Sequence, residues 1–114
     1  ADNEFLGGLI CPGFKIATEA LAENTALLPK IDLIKTDTVI GTNTDHAIRS
    51  GIIYGFVGQV EYLIRKIHQE IGCKARVVAT GGMSELIHSE SDYIDVLNPT
   101  LTLEGLSMIY EMNA

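Results

Sequence analysis

The sequence predicts an α/β fold, and three observations predict it. Short β-branched or apolar runs alternate with segments whose apolar residues recur near the helical period. Glycine or proline punctuates most of the junctions between them. No internal repeat, low-complexity tract or linker interrupts the 114 residues, a length that suits one compact domain, or part of one, and is too short for two.

The first apolar run, Phe5-Leu6-Gly7-Gly8-Leu9-Ile10, reads as a strand closed by the turn signal Cys11-Pro12-Gly13. A helix follows, with Ile16, Ala17, Ala20, Leu21, Ala22, Leu27 and Leu28 near the 3.6 period and Pro29 as its stop. Ile31 to Ile34 extends, and Thr38-Val39-Ile40 reads as a short strand ended by Gly41. The clearest element comes next. Thr44 and Asp45 start a helix whose apolar stripe runs through Ile48, Ile52, Phe56, Val60, Leu63, Ile67 and Ile71, and Gly72 ends it. About 28 residues at 1.5 Å each give it a length of roughly 42 Å. Arg76-Val77-Val78-Ala79 is then a strand running into Thr80-Gly81-Gly82, and a short helix covers Ser84 to Ser89. Tyr93 to Leu97 is a further strand broken by Asn98-Pro99, and Thr102 starts a last helix through Leu103, Leu106, Ile109 and Tyr110.

Composition narrows the function classes. Fifteen acidic against eight basic residues leave a net charge of −7, which repels a phosphate backbone and argues against nucleic-acid binding. The densest basic group is the pair Arg65–Lys66. The longest apolar stretch, Gly51 to Ile64, is broken by Gln59 and Glu61 and is too short to span a bilayer, so no membrane partner is expected. Cys11 and Cys73 belong to no metal or redox motif and read as reduced, half-buried side chains of a cytosolic protein. The acidic start, without Met, carries no signal peptide and suggests a piece of something longer, although a processed chain would look the same.

Three features could carry function. Ala47, Gly51, Gly55 and Gly58 fall on one face of the long helix, at spacings of four, four and three. Interior helical glycines cost about 0.8–1 kcal/mol each relative to Ala, so this face needs compensation from a close neighbour. That neighbour is either the domain's own sheet or a functional contact, a second subunit or a substrate. The helix start, Ile40-Gly41-Thr42-Asn43-Thr44, offers free N–H groups and two hydroxyls. Such an end binds a carboxylate or phosphate, although Thr or Asn here more commonly caps its own helix. Thr80-Gly81-Gly82, between strand and helix, lets a backbone pass close to a nucleotide, but it is neither a Walker loop nor G-x-G-x-x-G. His46, His68 and His88 show no ligand spacing and default to helix-surface roles, and no acid marks a general base.

Read in order, the motifs resemble type III pantothenate kinases. Gly7-Gly8-Leu9-Ile10-Cys11-Pro12-Gly13 is similar to that family's G-G-x-I-x-P-G segment, and Leu21 with Thr25-Ala26-Leu27-Leu28-Pro29 to the pattern after it. Ile40-Gly41-Thr42-Asn43-Thr44, then Ser50-Gly51, Gly55 and Gly58, resemble its I-G-x-N-T and glycine-spaced helix. Val78-Ala79-Thr80-Gly81-Gly82 and Leu101-Thr102-Leu103-Glu104-Gly105-Leu106 complete a resemblance running from Phe5 to Asn113. It implies a ribonuclease H-like domain of the actin-like ATPase superfamily. Residues 1–114 would be the C-terminal domain of a two-domain kinase, incomplete because its first strands lie upstream. Also implied are ATP with magnesium, a monovalent cation (potassium or ammonium), pantothenate as substrate, and a cytoplasmic homodimer.

Residue by residue, the resemblance implies that Thr44 and its neighbour Asn43 contact pantothenate and that Gly81 and Gly82 lie near adenosine. It puts Gly51, Gly55 and Gly58 at a subunit interface. The family's D-x-G-N-T, G-x-D-R and D-x-G-T segments have no counterpart in this sequence, so no catalytic residue and no metal ligand is assigned here, and the segment alone is expected to be inactive. The alternative is a non-catalytic, dimerising regulatory or interaction module of the same fold.

Overall fold

The structure, a computed structural model, describes residues 3–24 and 34–114. By packing, the chain divides into two units, Ala1–Ile52 and Ile53–Ala114.

In the first unit, residues 3–13 run exposed and without regular structure. The strand expected over Phe5–Ile10 does not form. A strand exists only where a neighbour takes its alternating N–H and C=O groups, and no described residue pairs with this one. Helix α1, Phe14–Asn24, begins where the Gly13 carbonyl accepts the Ala17 N–H at 3.0 Å. Phe14 is its buried anchor, and the Thr18 hydroxyl bonds back to the Phe14 carbonyl at 2.8 Å. Leu27, Leu28, the stop at Pro29 and the extension from Ile31 fall outside the described residues.

Thr38-Val39-Ile40 is a loop and not the expected strand. Its carbonyls are taken by side chains: Thr36 Oγ1 donates to the Thr38 carbonyl at 3.0 Å, His46 Nε2 reaches the same oxygen at 2.9 Å, and Ser50 Oγ donates to the Val39 carbonyl. β-Branched residues favour extended backbone, but side-chain donors can satisfy that backbone as well as a ladder can.

Helix α2, Thr44–Ile71, has the bounds its caps and periodicity predict. Gly72 follows in the left-handed region, φ +74°, the conformation that ends helices without a Cβ clash. The buried column differs from the expected stripe. It holds Ser50, Ile53, Val57 and Ile64, spaced by three, four and seven, with Ile52 beside it. Ile53 is wholly buried, whereas Ile67 and Ile71 at the far end are exposed. With Ile52 and Ile53 adjacent, periodicity cannot tell which of two apolar columns faces inward.

In the second unit, strands β1 (Val78–Ala79) and β2 (Val96–Leu97) pair in parallel, Val78 opposite Val96 and Ala79 opposite Leu97. Helix α3, Ser84–Glu90, connects them and packs on β2. Parallel strands need such a crossover. Both strands are shorter than the sequence runs. The Asp95 carboxylate accepts the Val77 N–H at 2.7 Å and the Val77 carbonyl accepts the N–H groups of Asp95 and Val96, which ends the ladder there.

Helix α4, Leu101–Asn113, starts one residue before the expected Thr102. It buries none of its residues, and Leu103, Leu106, Ile109 and Tyr110 are all exposed. Among the described residues, no helix is long and apolar enough to cross a membrane.

Candidate functional site

The start of α2 is held by several hydrogen bonds among the described residues. Asn43 caps it: Oδ1 accepts the His46 N–H at 2.8 Å, and the Asn43 carbonyl accepts the Ala47 N–H at 2.9 Å. That use commits the Asn43 side-chain oxygen to its own helix. Thr44, expected as a binding residue, is exposed, and its hydroxyl makes no hydrogen bond to another described residue. Asp45 stands in the first turn, where the helix dipole favours an anion, and meets the Arg49 guanidinium one turn on at 2.5 Å. Arg49 Nε is buried without a partner among the described residues.

At 100° per residue, Gly51, Gly55 and Gly58 fall within about 40° of Thr44 around the axis of α2. His46, Ser50, Ile53, Val57 and Ile64 lie roughly 180–240° away. The helix therefore has a back that carries the buried column and a front of small residues headed by Thr44. Beyond Ala47 the front is bare: Gly51, Gly55 and Gly58 are exposed, and a Cβ at any of the three would meet no described atom within 4 Å. Packing of this face against the domain's own sheet is not what the described residues do.

Loop 34–43 covers the first turn, from the back at His46 and Ser50 and from the side at Ala47. Besides the bonds to the Thr38 and Val39 carbonyls, Gly41 lies directly on the helix. A Cβ there would fall onto the Ala47 backbone and come within 2.8 Å of the Ala47 Cβ. Sequence reasoning did not find His46 or Ser50. The available signal was their i, i+4 spacing on the face opposite Thr44, with a polar Ser50 in line with Ile53 and Val57.

In the second unit, Thr80-Gly81-Gly82 leaves the carboxyl end of β1, the edge of a parallel sheet where ligands commonly bind. Gly81 has φ +100°, a conformation open to glycine and rare for other residues. Its carbonyl accepts the Ser84 hydroxyl at 2.6 Å and the Ser84 N–H at 3.2 Å, tying the turn to α3. Gly81 and Gly82 are exposed, with no described atom within 4 Å of where either Cβ would stand. Beside them, Asn98 N–H donates to the Ala79 carbonyl at 2.9 Å, so the loops after both strands emerge together.

Cys11 and Cys73 are free thiols and exposed, not half-buried, because Cys11 stands in the uncovered segment 3–13 and Cys73 just beyond the end of α2. His46 and His68 bond backbone carbonyls, His68 Nε2 reaching that of Ala75 at 3.2 Å. Among the described residues, no three His, Cys, Asp or Glu side chains are grouped to hold a metal ion.

Compared with known families, the chain matches the family model of type III pantothenate kinases over residues 1–66. The matched segment contains Gly7 to Gly13, Asn43, Thr44 and the whole glycine front, and it ends before Gly81. With 66 of its 114 residues in that match, the chain belongs to the type III pantothenate kinase family.

Proposed function

We propose that the native protein transfers the γ-phosphoryl group of ATP to the hydroxyl of pantothenate, the first step of coenzyme A synthesis. The observation that carries this reading is that the family match covers the start of α2, where the Thr44 hydroxyl is uncommitted. Pantothenate presents a carboxylate and hydroxyls. The N–H groups in the first turn of α2 suit the carboxylate, and the Thr44 hydroxyl can bond a polar group of the substrate. Asn43 takes part as the residue that fixes this turn, with its amide nitrogen left for substrate.

Gly81 and Gly82 are proposed to lie beside adenosine, an assignment supported by their exposure, the φ of Gly81 and their place at the carboxyl edge of the sheet. The parallel β1-α3-β2 unit fits a ribonuclease H-like domain of the actin-like superfamily. ATP with magnesium supplies the phosphoryl group and the charge neutralisation that phosphoryl transfer needs. The catalytic aspartate of the family's G-x-D-R segment and the magnesium and potassium or ammonium sites are assigned to no residue of this sequence, which alone would then be inactive. The glycine front of α2 is the proposed contact of a cytoplasmic homodimer.

Incubation of the native protein with pantothenate, ATP, magnesium and either potassium or sodium tests the reading. Phosphopantothenate is expected to form with potassium and to fall sharply with sodium. No product under either condition, from a protein that still dimerises, would favour the non-catalytic module.

A further inference from the structure

We infer that His46 is a positioning residue for the pantothenate site, acting through its bond to the Thr38 carbonyl. This rests on the reading that Thr44 contacts substrate. A carbonyl only accepts, so Nε2 carries the proton in the 2.9 Å contact with Thr38 O, and the Thr38 hydroxyl stands 3.3 Å from the same nitrogen. That oxygen also accepts the Thr36 hydroxyl at 3.0 Å, which uses both its lone pairs. One turn along α2, the Ser50 hydroxyl holds the Val39 carbonyl, and Ser50 is only 3% exposed. Gly41 rests on Ala47, and Asn43 Oδ1 takes the His46 N–H.

Four loop residues are thus fastened to three residues of α2, and His46 makes two of the fastenings, one by its backbone and one by its ring. Two positions beyond Thr44 is about 200° around a helix. The His46 ring therefore holds the loop from the side of α2 opposite Thr44. Without its ring, Thr38 loses its bond to α2, and the Asn43–Thr44 junction loses part of its fixed approach to substrate. His46 touches no reacting atom, so the effect should fall on pantothenate binding and leave phosphoryl transfer alone.

The test uses the native protein with His46→Leu and His46→Gln. Leucine fills a similar space without a donor, whereas the glutamine amide can present an N–H where Nε2 stood. His46→Leu is expected to raise the KM for pantothenate about fivefold, as the loss of one hydrogen bond implies. Neither kcat nor the KM for ATP should change by more than about twofold. His46→Gln should return the pantothenate KM to within about twofold of the parent. If His46→Leu leaves that KM unchanged, or shifts both substrates' KM and kcat together, or if His46→Gln is no better than His46→Leu, the inference is overturned. Should His46→Leu fail to fold, His46→Gln against His46→Asn, whose amide is too short to reach Thr38, supplies the same comparison. Thr44→Val run in parallel separates the two levels. A raised KM for Thr44→Val with a normal one for His46→Leu removes the positioning role alone, and an unchanged KM for Thr44→Val removes the Thr44 reading and the positioning role with it.

Discussion

Gly41→Ala is expected to lower the stability of the native protein by about 2–3 kcal/mol and to raise the pantothenate KM more than tenfold. The added methyl would land on the Ala47 backbone, which cannot rotate away as a side-chain tip could. Either the loop lifts or the first turn of α2 distorts. Lifting the loop strains the His46 and Ser50 bonds to Thr38 and Val39, and distorting the turn moves Thr44. Gly8→Ala and Gly13→Ala are the controls, since nothing described lies within 4 Å of those positions. They should stay within about 0.5 kcal/mol of the parent in chemical denaturation. An unchanged midpoint for Gly41→Ala would mean that the loop is not seated on α2.

Gly55→Leu is expected to convert the proposed dimer to a species of half the mass, read by sedimentation or light scattering. Two effects oppose each other at this residue. On a helix face that stays bare, replacing an interior glycine by leucine or alanine stabilises by about 0.8–1 kcal/mol. On a face closed by a second copy, the side chain keeps two backbones apart and the association is lost. The glycines of α2 are exposed, so among the described residues of one copy their cost is uncompensated, and a partner's approach is the compensation proposed. A dimer that persists in Gly55→Leu, with a higher melting temperature, would assign the glycine front no interface.

Much of α2 was legible in the sequence, because a long helix writes its length in repeated turns and its end in one glycine. Thr44 and Gly72 bracket it where the residue types said they should. What could not be read is which of two neighbouring apolar columns turns inward, since Ile52 and Ile53 satisfy either. Thr38-Val39-Ile40 misled for another reason: its β-branched character is real, but its hydrogen bonds go to His46 and Ser50, residues that a local window cannot connect to it. Phe5 to Ile10 carries a strand's composition without a strand's partner. At the candidate site, the motif found the turn, and the structure adds the cap. Asn43 Oδ1 caps the helix, a role residue type alone already suggested, and its amide nitrogen and the Thr44 hydroxyl bond no other described residue.

The central claim is that the first turn of α2 receives pantothenate on the side of Thr44. Calorimetric titration of pantothenate into the native protein, parent and Thr44→Val, tests it most directly, since valine keeps the shape and removes only the hydroxyl. Affinity is expected to be about tenfold weaker in Thr44→Val, with ATP affinity and melting temperature unchanged. Equal pantothenate affinity in the two proteins would contradict it.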